Sequence, residues 1–137
     1  AHSFETWRNG KLIGGLYGVS IGHMFFGESM YSSESNASKI AFIHLVEWAR
    51  KHHFGPIDCQ IQNNHLESLG ACEIPRNEFM SILRTHLSNG KSIRGRWQMH
   101  SSDFYDLFGW SYLYHIQEIT GLKISLSTSH QHVSYSR

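Results

Sequence analysis

The sequence predicts an α/β (α+β) domain built on a central mixed sheet, and three observations carry that expectation. An alternating opening with a strong hairpin signal predicts strands, a long 3.6-residue apolar stripe predicts a helix, and a second strand and helix follow in order. At 137 residues the chain fits one domain, since about 100–150 residues is the commonest domain size. Hydrophobic residues make up 40% and aromatic residues 13%. A domain of this length hides roughly two thirds of its unfolded surface, so a sizeable core is available.

Ser3-Phe4-Glu5-Thr6-Trp7 alternates polar and apolar residues, and Asn9-Gly10 is the strongest short hairpin signal. Leu12 to Val19 follows as a strand interrupted by Gly14, Gly15 and Gly18. Such glycines point to a bulge, or to a backbone that something approaches closely. His23-Met24-Phe25-Phe26 reads as a third strand that ends at Gly27-Glu28, completing an antiparallel meander.

Asn36 is placed to cap a helix of about 17 residues. Ile40, Ile43, His44, Glu47 and Trp48 recur on related turns, and Phe42, Leu45 and Ala49 widen the buried stripe. The basic run Arg50-Lys51-His52-His53 suits the negative pole of the helix, and Gly55-Pro56 supplies the stop. Pro56 to Ile61 reads as a short strand. Pro75 fits the first turn of another helix, running to about Leu87. From Met99 the composition shifts to Ser, His and aromatics. Phe104 to Ile119 is a candidate helix and Leu122 to Leu126 a candidate strand, and this segment holds no chemical motif.

The bulk properties exclude several function classes. A net charge of +1 is too small for holding RNA by electrostatics alone, so any such role rests on a local patch. Two cysteines, Cys59 and Cys72, form neither a CxxC pair nor a disulfide framework, and they read as thiols in a reducing cytoplasm. No apolar run approaches the roughly 20 residues of a membrane helix, and there is no signal peptide. Without an initiating Met at position 1, the chain reads as a piece of a longer protein.

The candidate chemistry lies in two stretches. On a strand through Ile57-Asp58-Cys59-Gln60-Ile61, the two-residue period puts Asp58 and Gln60 on one face and Ile57, Cys59 and Ile61 on the other. An acid and an amide side by side fit a chemical role, but on pattern alone they fit better a carboxylate capping a nearby helix or loop, with Gln facing solvent. Glu28, between Gly27 and Ser29, is either a surface turn residue or a receptor for a ligand ammonium group. Leu16, Phe25, Met30, Phe42 and Leu45 read as core, some of them available to line an apolar pocket. Lys91, Arg94 and Arg96 with Trp97 fit either a phosphate-binding, base-stacking patch or a solvated basic loop. His130-Gln131-His132 and His52-His53 lack the spacing of a zinc site, so no metal is expected. There is no GxSxG elbow and no P-loop, and Cys59 faces away from Asp58, which argues against a thiol nucleophile.

Together these stretches resemble the C-terminal catalytic domain of bacterial leucyl/phenylalanyl-tRNA–protein transferases. The matching motifs are Ala1-His2-Ser3 with Glu5 and Trp7, Gly14-Gly15-Leu16-Tyr17-Gly18, Phe26-Gly27-Glu28-Ser29-Met30, Asn36-Ala37-Ser38-Lys39, Ile57-Asp58-Cys59-Gln60, and Ser68-Leu69-Gly70-Ala71 leading to Glu73-Ile74-Pro75-Arg76. They keep the family's order and spacing, which assigns residues 1–98 to the catalytic domain and leaves 99–137 as a tail without a counterpart.

The resemblance implies a sheet similar to that of GCN5-related acetyltransferases. It also implies transfer of Leu or Phe, and less readily Met, from aminoacyl-tRNA to proteins with N-terminal Arg or Lys, marking them for N-degron degradation. No cofactor is implied, because aminoacyl-tRNA is a co-substrate. By the same resemblance Glu28 holds the α-ammonium of the donor, Asp58 and Gln60 orient the attacking amine and handle its proton, and Leu16, Phe25, Met30, Ser32, Phe42 and Leu45 bind the donor side chain. It further implies an N-terminal domain, absent from this sequence, that helps to bind the tRNA. An acyl-CoA-dependent N-acyltransferase is the alternative on the same fold, but the turn Ser33-Glu34-Ser35-Asn36-Ala37-Ser38 lacks the glycines of a pyrophosphate cradle. A non-catalytic binding fragment is the other alternative.

Overall fold

A computed structural model describes residues 1–60, 64–88, 93 and 97, together with the backbone of 122–128. It opens with three strands, β1 (His2–Arg8), β2 (Lys11–Ile21) and β3 (Met24–Ser32), each antiparallel to the one before. At the first turn Asn9 and Gly10 both have positive φ, 50° and 77°. That is the two-residue hairpin geometry whose twist matches the flanking strands. The chain continues through α1 (Ala37–Lys51), β4 (Ile57–Asp58), α2 (Asn64–Glu67), α3 (Arg76–Ser88) and β5 (Leu122–Thr128). β4 runs parallel to β3 and β5 antiparallel to β1, giving a mixed sheet of order β4-β3-β2-β1-β5. The α+β class expected from the sequence is the one observed. The candidate helix at 104–119 lies outside the described residues.

Helix α1 lies across β1 and β2 and buries Ala37, Ala41, Phe42, His44, Leu45, Trp48 and Ala49. Its first turn almost touches the sheet. A Cβ on Gly14 would stand 2.6 Å from the Cβ of Ala37, so only glycine lets the helix approach this closely. The buried Thr6 hydroxyl locks the contact by donating to the Ala37 carbonyl at 2.9 Å. Asn36 occupies the N-cap position, but its side chain caps nothing. A capping side chain needs an extended backbone to reach the first turn, and Asn36 is left-handed at φ 63°. At the other end His53 turns left-handed at φ 56°. The Phe54 N–H then reaches the Ala49 carbonyl (2.8 Å) and the His53 N–H reaches that of Arg50 (3.2 Å). This Schellman closure stops the helix at Lys51, ahead of the expected Gly55-Pro56 stop.

The core is aromatic. Trp97 stacks on His2 with ring centres 3.6 Å apart and on Trp48 at 4.1 Å, while Phe54 sets its edge against both tryptophans. Trp97 is 2% exposed, and its ring N–H donates to the Ile93 carbonyl. It therefore holds the core together and offers no face to a base, which corrects the base-stacking reading. Its basic neighbours Lys91, Arg94 and Arg96 lie outside the described residues. Burial pushes the His2 imidazole down to about 4, so the ring stacks as the neutral form.

Candidate active site

Glu28 owes its placement to an irregularity in the sheet. Tyr17 pairs with Ser29 and Gly18 with Gly27, so Glu28 has no opposite residue and is the extra residue of a β-bulge. The sequence anticipated an irregularity at the β2 glycines, and β2 carries one: Ile13, beside Gly14, is an extra residue against β1, while opposite Gly18 the inserted residue is Glu28 on β3. The bulge also reverses strand parity. Phe25 before it and Met30 after it, five positions apart, turn toward the same cavity. Glu28 is thus exposed in the middle of a nine-residue strand, where the sequence had placed it at a strand end.

The second stretch departs further from expectation. β4 pairs with β3 at only two positions, Ile57 with Phe26's neighbour Phe25 and Asp58 with Phe26. Gln60 then takes a left-handed backbone at φ 62°, which ends the strand. Asp58 and Gln60 therefore do not share a face by strand alternation. They are joined by a turn instead: the Asp58 Oδ1 accepts the Gln60 backbone N–H at 2.8 Å. From there the Gln60 side chain crosses to β3, where its Nε2 donates to Glu28 Oε1 at 3.2 Å. The three polar residues form one relay, Glu28–Gln60–Asp58, across the gap where the two strands part.

Beneath this relay lies a cavity of about 190 Å³. Leu16, Phe25, Met30, Phe42 and Leu45 line it, from β2, β3 and α1. Glu28 and Gln60 stand over it among the lining residues, while Asp58 does not line it. Five of the six residues expected to bind the donor side chain are thus brought together. Ser32 is not among them; it lines a second, more open cavity with Tyr31 and Ser38. Cys59 lines the apolar cavity, half-buried, and burial followed by the Asp58 charge pushes its thiol pKa up. A thiol held protonated is a poor nucleophile.

His65 on α2 is the residue that the sequence did not signal. It lines both cavities, half-buried, at the seam between them. One histidine on a four-residue helix has no periodicity to mark it, so nothing in the chain order sets it apart. No group of three or more His, Cys, Asp or Glu residues with metal-binding geometry occurs among the described residues.

The arrangement suits positioning of an amine. Gln60 directs its amide N–H₂ at Glu28, which leaves its carbonyl oxygen to accept from an incoming N–H. The Glu28 carboxylate has further lone pairs for an ammonium group. An apolar chamber of this size beneath such a rim has room for one apolar side chain, with polar groups left at the mouth.

Residues 1–84 match the family described as leucyl/phenylalanyl-tRNA protein transferase. The chain is 61% identical over 84 residues to the leucyl/phenylalanyl-tRNA–protein transferase of Nitrosospira multiformis, covering 61% of this chain and 36% of that protein. It is 52% identical over 103 residues to the one from Desulfatibacillum aliphaticivorans, covering 75% and 44%. The relative from Hahella chejuensis is 60% identical over 83 residues, covering 61% and 36%. The chain spans less than half the length of these curated relatives. With the matched segment containing Glu28, Asp58, Gln60 and the whole apolar cavity, this chain belongs to the leucyl/phenylalanyl-tRNA protein transferase family.

Proposed function

We propose that this chain is the catalytic portion of an aminoacyltransferase that moves Leu or Phe, and less readily Met, from aminoacyl-tRNA to the α-amino group of proteins with N-terminal Arg or Lys. The observation that carries the reading is the apolar cavity roofed by Glu28 and Gln60. At about 190 Å³ it falls below the ~300–1,000 Å³ of pockets that take drug-sized ligands. One amino-acid side chain suits it. The lining residues Leu16, Phe25 and Phe42 favour unbranched or γ-branched side chains, and Met30 adapts to their differing shapes.

The donor is an ester, already activated, so no enzyme nucleophile is required. The acceptor's α-amine attacks the ester carbonyl; a C–N bond forms, the C–O bond to the ribose breaks, the amine loses a proton and the ribose oxygen gains one. Glu28 holds the donor's α-ammonium, and Gln60 aligns the attacking amine through its carbonyl oxygen. A neutral amide is a very poor base, so the proton does not rest there. Asp58 fixes the Gln60 turn and is the eventual proton acceptor. Positioning and proton handling of this kind supply most of the rate.

The cell-level part of the reading is that the transferred residue marks its acceptor for degradation by the N-degron route in the cytoplasm. No described helix is long and apolar enough to cross a membrane. No separate cofactor enters, since aminoacyl-tRNA is the co-substrate. A sheet similar to that of GCN5-related acetyltransferases accords with this, β3 and β4 parting after two paired positions to open the cleft.

The test is transfer of labelled Leu from leucyl-tRNA to a substrate with N-terminal Arg, by this chain and by a protein of the relatives' full length carrying the same sequence. Transfer by the full-length protein is expected. No transfer by either would overturn the reading.

A further inference from the structure

We infer that His65 is the general acid of the transfer: its imidazolium donates the proton that the ribose oxygen takes up as the ester C–O bond breaks. The inference rests on the transfer reading above, which leaves that proton without a named donor.

The need follows from the chemistry of the step. An alkoxide leaves poorly, and a proton donor placed at the breaking bond speeds such a step by about 10²–10⁴-fold. Gln60 and Asp58 stand with the attacking amine, and Asp58 ends by accepting its proton. A group that takes up one proton cannot supply the other at the same moment. A second group must stand on the leaving side.

Few side chains qualify. Among the described residues lining the apolar cavity, those with a proton to exchange are Tyr17, Glu28, Cys59 and His65. Glu28 is an acceptor here, bonded by the Gln60 amide and facing the α-ammonium. The Cys59 thiol, pushed up by burial and then by the Asp58 charge, is a weak acid. Tyr17 follows Leu16 on β2, and successive strand residues face opposite ways. Leu16 belongs to the buried core while Tyr17 is 51% exposed, so the phenol stands on the far face of the sheet. His65 remains, and imidazole is the side chain that both holds and gives up a proton near neutral pH.

Its place in the fold suits the leaving side. With the donor's side chain in a cavity of about 190 Å³, the ribose is too large to share that space and extends out of it. The wider cavity adjoins at Met30 and His65, which line both. A thioether has no proton to give, so at that seam the imidazole is the donor. Helix α2 holds it there. Leu66 lines the apolar cavity and Leu69 packs against the core cluster. Gly70 then turns left-handed at φ 94°, with the Ala71 N–H donating to the Leu66 carbonyl (3.0 Å) and the Gly70 N–H to that of Glu67 (2.9 Å). This Schellman closure fixes a helix too short to be stable alone.

The step balances. The C–N bond forms and the C–O bond breaks; the amine's proton goes to Asp58 and the imidazolium's proton to the ribose oxygen. Asp58 then releases its proton to water, and the imidazole takes one up.

The experiment measures single-turnover transfer of Leu from leucyl-tRNA by full-length protein carrying His65→Gln or His65→Ala, with a urea midpoint on each sample. His65→Gln keeps a hydrogen-bonding amide but cannot act as an acid. It is expected to slow transfer about 100-fold or more, with the KM for leucyl-tRNA and the midpoint kept. Added imidazole should restore the His65→Ala rate at least tenfold, in proportion to its concentration, and should leave the unaltered protein unchanged. Full-speed transfer by His65→Gln, a loss confined to KM, or a His65→Ala rate indifferent to imidazole would overturn the acid role. Those results leave the transfer reading standing, whereas absence of transfer by the unaltered protein overturns both.

Discussion

The two halves of β3 behave as different materials. Met24 and Phe25 are fully buried, Phe25 in one cluster with Trp48 and Trp97, and their pairing with β2 is regular. Three residues later the strand bulges at Glu28, and from there to Ser32 its side chains are mostly exposed. The same contrast recurs at β4, where Ile57 packs on the core and Gln60, two residues past the end of the strand, turns left-handed. Glu28 and Gln60 stand where backbone pairing fails, and the regular half supplies the rigid base beneath them. A change in the first half should therefore destroy fold and site together, whereas a change in the second should spare the fold.

The largest expected effect is in the regular half. Trp48→Ala removes a 1%-exposed side chain that touches Phe4, Phe54 and Trp97. It should cost about 3–5 kcal/mol, read as a lower midpoint in urea. Any activity should fall with the fold.

Next is the irregular half. Glu28→Gln keeps the shape but removes the charge that an α-ammonium would meet. Transfer by the full-length protein should drop about 10–100-fold in kcat/KM, the worth of a hydrogen bond to a charged group. The urea midpoint should not move, because Glu28 is exposed. A shifted midpoint would erase the distinction between the halves.

Gly14→Ala probes the joint between them. Its Cβ would stand 2.6 Å from the Ala37 Cβ and 2.8 Å from the Ser38 nitrogen, so the start of α1 must move. A loss of about 1–3 kcal/mol is expected from such overpacking, read as a lower midpoint in urea.

The smallest effect is the pH response of the core. Burial lowers the pKa of His2 to about 4 and also lowers that of His44, against which the Ile40 carbonyl and Glu47 act only in part. The folded state thus binds fewer protons than the unfolded chain in this range. Stability should be fully present above about pH 6.5 and decline as pH falls from there toward 4. A His2→Phe variant should flatten that decline in a series of thermal melts, and an unaltered slope would remove His2 from the explanation.

How much of this was legible depended on whether the signal was local. The β1–β2 hairpin was readable because Asn9-Gly10 alone specifies its turn. The α1 stripe was readable because one face carries it. Glu28 was singled out, but its bulge is a property of register between two strands, and no single strand displays it. The left-handed backbone of Gln60 had no glycine to announce it, so the strand appeared longer than it is. Trp97 was misread because an aromatic among cations looks the same whether it faces RNA or a core. The strand near Leu122 was expected, but its pairing with β1 spans most of the chain and leaves no local trace.

The relay across the gap is the centre of the proposed chemistry, and Asp58 anchors it through the 2.8 Å bond to the Gln60 backbone. The most direct measurement is the rate of Leu transfer from leucyl-tRNA by full-length protein carrying Asp58→Ala, with a melting curve on the same sample. A fall of about 100-fold or more, worth about 2.7 kcal/mol of barrier, with an unchanged melt is the expected result. Unimpaired transfer by a folded Asp58→Ala protein would contradict it.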